Sequence, residues 1–453
     1  MTYSWVDVLQ LQAGDVVALV GAGEKHAVIQ AIERECAQKQ WRLVILTTVP
    51  LSLTELALFS SSSPLPTADQ IPARNTLYYQ SIETDRVTGL TSAHVDQVIA
   101  QQRWDVLVIV ADTARGLPLK APRDYEPVIP LATTLVIPVA SLNALKKPLS
   151  DDQIYNAERI ASLTRTPLNT RLKTRAMARV IASPQMGLKA VPATARVIPI
   201  LHDVPVWGSR LARARVLAKQ ILNAPRINSV ILAHFDSEKI PNAILEVQSR
   251  VGAVIVAAGK ATRMGDAKVL LPWVDERPIL QHIIRRLQSG CVSPVVVVTG
   301  EWRKEVSEAA QEGGARVTHN PDYAQGEMLS SLQAGIRELQ QLPACDAMLL
   351  VLGDQPSLRT SLVRRMLALF AQQRPRLIIP SFEMRRGHPI LIRRDIWDEF
   401  LNIPQGGTPR SVIQKYSAEI VYLNVWDDAI LRDIDTPEDY RSEIERAFFL
   451  KNN

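Results

Sequence analysis

The chain has 453 residues, 47% of them apolar and 22% charged, with a formal net charge of +6. That length exceeds one ordinary domain and fits two or three, and the composition is that of a globular protein with ample core. The opening MTYSWVDVLQ lacks the basic and apolar regions of a signal peptide, and no run approaches roughly eighteen consecutive apolar residues, so neither export nor a membrane span is expected. Cys36, Cys291 and Cys345 have no metal-ligand spacing and cannot all pair, so reduced thiols of a cytoplasmic protein are the expectation.

In chain order, the first expected strand is 15–20, followed by the turn Gly21-Ala22-Gly23 and a helix over 25–39. A strand 43–47, a Ser- and Pro-rich loop, a helix near 94–102 and a buried strand 106–110 come next. Strands alternating with helices of this length predict a parallel sheet covered on both faces. Residues 151–245 open with basic helical sequence, then give a strand over 195–201, a helix near 209–222 and a strand 229–233. They read as a continuation of the first domain, with a linker over 237–250. Between Arg159 and Lys219, twelve Lys or Arg residues face one acid, Asp203. This imbalance fits an anionic partner or a solvated helix face. With Trp207 the only aromatic there, a base-stacking platform is unsupported and no nucleic-acid partner is expected.

From residue 252 the pattern restarts. Strands over 253–257, 295–299, 315–318, 347–352 and 376–379 alternate with helices over 278–289, 302–312, 329–341 and 359–372. The fold class is therefore α/β in two domains, 1–245 and 246–453, each a mainly parallel sheet flanked by helices. Ligands of such sheets gather at the carboxyl ends of the strands. There the stretch VAAGKATRMGDAK places Arg263 and Lys268 in one loop with small residues that allow close backbone approach. Its spacing is neither that of a P-loop nor of the Rossmann G-x-G-x-x-G. Phosphate binding is expected, against a surface turn with incidental charges. Asp354 follows a buried strand where a metal ligand would sit, or simply caps a turn. Residues 431–439 offer a second acidic cluster, although Thr436-Pro437-Glu438 is also a good helix start.

Residues 252–440 resemble the molybdenum cofactor cytidylyltransferases of the molybdopterin nucleotidyltransferase family. The matching pieces are AAGKATRMGDAK (257–268), MLSSLQAG (328–335), GDQP (353–356), RRGHPIL (385–391) and DIDTPEDY (433–440). The resemblance implies a Rossmann-like nucleotidyltransferase fold, with Ala257, Ala258 and Gly259 on the nucleotide and Arg263 and Lys268 on its phosphates. Asp354 and Asp435 would hold Mg²⁺, with Arg263, Lys268 and Asp354 carrying the catalytic burden. Ser330 and Ser331 would line the nucleotide pocket, and Gly387, His388 and Pro389 would face the pterin. The implied reaction moves CMP from CTP to the terminal phosphate of molybdenum-molybdopterin and releases pyrophosphate. Ala257-Ala258-Gly259 resembles the cytidylyl branch, where GTP-using relatives carry Ala-Gly-Gly. Guanylyl transfer, another phosphorylated acceptor, or a non-catalytic cofactor-binding chaperone remain open.

Residues 10–235 resemble the accessory proteins of selenium-dependent molybdenum hydroxylases. The resemblance rests on residues 20–26, 112–122, 126–130 and 187–192. It implies association with the molybdenum cofactor and with a client molybdenum hydroxylase or its maturation factors. That family's phosphate loop reads Gly-x-Gly-Gly-Lys-Thr and its acidic stretch Glu-Ala-Asp-Gly. Here Glu24 replaces a glycine, His26 the hydroxyl residue, Val110 the glutamate and Thr113 a glycine. The departures fall where nucleotide hydrolysis needs its groups, so weak or absent ATP binding is expected of this degenerate loop.

Overall fold

The computed structural model describes residues 3–65, 74–235, 243–259, 267–274, 276–324 and 328–452. The chain divides into two compact units, Met1–Gln248 and Ser249–Asn453. No helix among the described residues is long and apolar enough to cross a membrane.

In the first unit a ten-stranded sheet is built around Asp15–Gly21, which lies parallel between Val106–Val110 and Leu135–Ser141. Beyond Val106–Val110 come Leu43–Thr47, Leu77–Tyr79 and Ser62–Pro64. On the other side lie Ile200–His202, Ser229–His234 and Ala243–Ser249. Successive side chains of a strand point to opposite faces. Val17 and Leu19 accordingly enter one apolar cluster, while Val16, Ala18 and Val20 enter another. Burial on both faces explains why these strands read as unbroken apolar runs.

The sequence reading passes over Leu135–Ser141, where Pro138 argues against an interior strand because it cannot donate to a ladder. The expected strand 195–201 forms as two short ones, Arg196–Val197 and Ile200–His202, separated by Pro199. Both pair with Leu135–Ser141. The segment expected as a linker instead contributes the strand Ala243–Ser249 to the edge of the first sheet. Within it, polar Glu246 and Gln248 alternate with apolar Leu245 and Val247, an edge-strand pattern.

The second unit has an eight-stranded sheet in the order Arg316–His319, Val295–Thr299, Val251–Ala257, Ala347–Leu352, Ile390–Arg393, Leu377–Phe382 and Arg385–Arg386, with Ile420–Asn424 on Leu377–Phe382. The first four are mutually parallel. Ile390–Arg393 runs antiparallel to both neighbours. Helices Ile279–Ser289, Arg303–Glu312 and Thr360–Gln373 cover one face, and Met328–Gln340 with Trp397–Leu401 the other. Both units are thus α/β bodies with mainly parallel sheets.

Candidate active site

Because Val251–Ala257, Val295–Thr299 and Ala347–Leu352 are parallel, their carboxyl ends open on one edge of the second sheet. Ala257 ends the central strand, Ala258 is buried beyond it, and Gly259 is exposed. Arg263 lies outside the described residues. The chain continues at Ala267 into the short 3-10 turn Lys268–Leu270.

Lys268 Nζ donates to Asp354 Oδ2 at 2.6 Å and to Asp435 Oδ1 at 3.0 Å. Two acids far apart in sequence thereby meet on one ammonium. Backbone geometry fixes the meeting: Ile434 N–H donates to the Asp354 carbonyl at 3.0 Å. Asp439 accepts the N–H of Asp435 at 3.1 Å and of Thr436 at 2.8 Å. Asp439 thus pins the turn in front of helix Pro437–Asn452, so the acidic motif is a helix start and a carboxylate source at once. Burial works to lower the Lys268 pKa, but Asp354 and Asp435 outweigh it and hold the ammonium above the usual lysine value.

Two carboxylates converging on one cation, with the Asp435 side chain 52% exposed, form a hard-oxygen donor set with access for water and phosphate oxygens. That suits Mg²⁺, which binds through one or two carboxylates and fills its shell from substrate and solvent. Among the described residues no group of three or more His, Cys, Asp or Glu side chains is arranged for a metal.

Ser330 and Ser331 stand in the first turn of Met328–Gln340. Asn320 Nδ2 donates to Ser330 Oγ at 2.9 Å and to Ser331 Oγ at 3.0 Å. Asn320 is 1% exposed, and its own carbonyl oxygen accepts Asp322 N–H at 3.0 Å. The sequence reading missed this residue, which lies just beyond the expected strand 315–318. An Asn beside Pro321 at a strand terminus was the available signal.

Gly387 has no room for a side chain, since a Cβ there would lie 2.3 Å from the Ile430 carbonyl oxygen. His388 N–H donates to that same carbonyl at 3.1 Å, and the ring Nδ1 lies 3.4 Å from the Leu350 carbonyl oxygen. Burial lowers the His388 pKa and favours a neutral imidazole. His388 and Pro389 line a cavity of about 210 Å³ together with Gln355, Arg359, Arg365 and Trp426. Gln355 follows Asp354 directly and donates to Asp433 at 2.6 Å, so this cavity adjoins the acidic pair. Burial, then proximity to Asp354 and Asp435, raises the Asp433 pKa against the Gln355 hydrogen bond.

The carboxyl edge of the first sheet is occupied differently. Lys25 is buried and donates to the Gly21 carbonyl at 2.9 Å; burial draws its pKa down to about 8. Asp112 accepts the N–H of Gly21 at 3.2 Å and pairs with buried Lys120, which also binds Glu126 at 2.7 Å. Burial raises the Asp112 pKa against the pull of Lys120. Gly23 has φ +97°, and a Cβ there would meet His202 Nε2 at 2.0 Å. That nitrogen lies 3.4 Å from Glu24 N–H. His202 Nδ1 is 3.3 Å from Asp203, which also accepts from Asn143 at 2.9 Å and from Ser141. Burial would raise the Asp203 pKa, but these partners hold it at about 2. The His202–Asp203 pair, unnoticed in the sequence, covers a loop amide that a phosphate would otherwise use.

The MobA-like NTP transferase domain pattern matches residues 253–420, and the YqeC protein pattern matches residues 17–158. The molybdenum cofactor cytidylyltransferase of Escherichia coli (strain K12) is 32% identical over 202 residues, covering 44% of this chain and 97% of that protein. The uncharacterized protein YqeC of the same organism is 26% identical over 208 residues, covering 45% of this chain and 81% of its own. A molybdenum cofactor guanylyltransferase of Burkholderia vietnamiensis (strain G4 / LMG 22486) is 33% identical over 130 residues, 28% of this chain and 60% of that protein. The chain joins a YqeC domain to a nucleotidyltransferase unit, and through that unit it belongs to the MobA-like family of molybdenum cofactor nucleotidyltransferases.

Proposed function

We propose that the second unit transfers CMP from CTP to the terminal phosphate of molybdenum-molybdopterin, forming molybdopterin cytosine dinucleotide and pyrophosphate with Mg²⁺ as cofactor. The observation carrying this reading is the convergence of Asp354 and Asp435 on Lys268 at the carboxyl edge of the sheet. Held by those two carboxylates, Mg²⁺ would supply positive charge to the phosphate oxygens. Lys268, with Arg263 from the adjoining loop, neutralises the triphosphate, and Asn320 fixes the two serines of the nucleotide pocket. The neutral His388 offers the acceptor a hydrogen-bonding wall beside Asp354. The attacking phosphate monoester is already anionic near neutral pH, so no general base is needed. Positioning and charge neutralisation are the catalytic work. CTP is favoured over GTP by Ala257-Ala258-Gly259 and by the cytidylyltransferase match, which spans 97% of that relative against 60% of the guanylyltransferase.

In this reading the product serves the maturation of molybdenum hydroxylases in the cytoplasm, and the first unit holds an anionic cofactor or a partner rather than hydrolysing ATP. His202 against Gly23 and Glu24, and Lys25 turned onto the Gly21 carbonyl, support that part. Mg²⁺-dependent ATP hydrolysis that survives Lys268→Ala would refute it. The test of the main reaction is pyrophosphate release by the full chain with molybdenum-molybdopterin, Mg²⁺, and CTP or GTP in parallel. CTP-dependent release, lost by about 10²–10³ in Asp354→Ala, is expected. Release with GTP alone makes it a guanylyltransferase, and no release with either leaves another acceptor or a cofactor-holding role.

A further inference from the structure

The twelve basic residues between Arg159 and Lys219 do not behave alike in the folded chain. Five are engaged: Arg159 with Asp124, Lys189 with the carbonyls of Arg123 and Asp124, Arg196 with Asp15, Arg210 with Asn143, and Arg215 with Glu246. Arg165, Arg171, Lys173, Arg175, Arg179 and Arg213 are exposed, and their side chains meet no carboxylate among the described residues. Arg175 and Arg179 stand one turn apart on helix Thr174–Ala182, which packs on Ser209–Ile221. Like charges at that spacing repel each other, so an anion between them would relieve a standing strain.

A groove of about 610 Å³ is lined by Arg175, Arg179, Ser183, Gln220 and Asn223, with Ala178 and Ala182 as its apolar floor. No acid lines it. The Gln220 side-chain oxygen is enclosed and has no hydrogen-bond partner among the described residues. The size lies within the roughly 300–1,000 Å³ of small-ligand sites. The lining holds no aromatic or large apolar side chain to anchor a polypeptide or stack a nucleic-acid strand.

We propose that this groove binds a phosphorylated heterocycle. Arg175 and Arg179 take the phosphate oxygens with their planar forks. The ring lies over Ala178 and Ala182, where larger side chains would block it, with the half-buried Gln220 side chain at its edge. The proposal rests on the reading of the first unit as an anion holder and gives that role a place and a ligand class. It is independent of the reaction assigned to the second unit.

The test is calorimetric titration of the full chain with CTP and, separately, with inorganic triphosphate. Wild type is compared with Arg175→Gln/Arg179→Gln, with Ala182→Leu and with Lys268→Ala. A CTP site weakened about tenfold or more by the double arginine variant and unchanged in Lys268→Ala is expected. Ala182→Leu, which keeps both arginines, should weaken CTP about tenfold while leaving triphosphate unchanged. CTP binding that neither groove variant alters overturns the proposal. Equal affinity for CTP and triphosphate overturns the heterocycle. A failure of the second unit would appear separately, as absence of the site that Lys268→Ala removes.

Discussion

Replacing Lys25 with methionine should stabilise the first unit at neutral pH, and the gain should fade as pH rises. Lys25 is 8% exposed, and burial, opposed mainly by Asp112, draws its pKa from 10.5 to about 8. At about 1.4 kcal/mol per pH unit, that difference makes the charged side chain cost the folded state about 3 kcal/mol at pH 7. Methionine removes that cost and forfeits the bond to the Gly21 carbonyl, a loss of about 1 kcal/mol, so the net gain is about 2 kcal/mol. The sign in pH follows from linkage. Between about pH 8 and 10.5 the unfolded lysine still carries a proton that the folded one has released, so wild-type stability rises with pH and the variant's advantage shrinks. By about pH 10 the charging cost falls to about 1 kcal/mol, matching the lost hydrogen bond, and the two proteins should be nearly equal. Denaturant unfolding of the full chain from pH 7 to 10, read on the transition that the substitution moves, measures this directly. A variant less stable than wild type at pH 7, or a difference that does not change with pH, refutes the reasoning.

Lys268→Ala leaves Asp354 and Asp435 facing each other without their shared cation, so pyrophosphate release should fall by about 10²–10³. The wild-type ion pairs should persist through the neutral range and be lost only above the usual lysine value, because the folded pKa of Lys268 is raised; ionic-strength-controlled pH titration of activity checks it. Asn320→Ala strips two serine hydroxyls of a buried donor and should destabilise by about 1–3 kcal/mol while raising the KM for nucleotide more than it lowers kcat, measured by melting and steady-state kinetics. Gly387→Ala forces a methyl group against the Ile430 carbonyl at 2.3 Å and should cost about 1–3 kcal/mol in thermal unfolding whether or not substrate is present.

Much of the architecture was legible because runs such as Val106–Val110 and Val295–Thr299 are apolar on both faces. The exceptions share a cause. Pro138 and Pro199 sit inside or between strands of the first sheet, where local rules oppose them and tertiary pairing prevails. The acids of the second unit were readable from their motifs, but their common contact with Lys268 was not, since nothing local reports how two loops meet. Arg263 falls outside the described residues, so its place on the nucleotide remains an expectation from its motif. The pairing of His202 with Asp203 across the loop Gly23–Glu24 had no sequence signal, because a buried histidine is defined only by what surrounds it. Asn320 was similarly hidden: its identity is unremarkable until the serines ten and eleven residues later fold back onto it.

The three cysteines divide the chain's thiol chemistry in a usable way. Cys36 and Cys345 are buried, with pKa values pushed up by desolvation to about 11 and about 12, whereas Cys291 is exposed. The thiolate is the reactive form, so the buried pair is protected both sterically and by protonation. A maleimide applied to the native protein would therefore attach at Cys291 alone, giving a single addressable position for a dye without altering the sequence. Labelling at Cys36 would then time the opening of the first unit and labelling at Cys345 that of the second, one internal clock for each half of the chain.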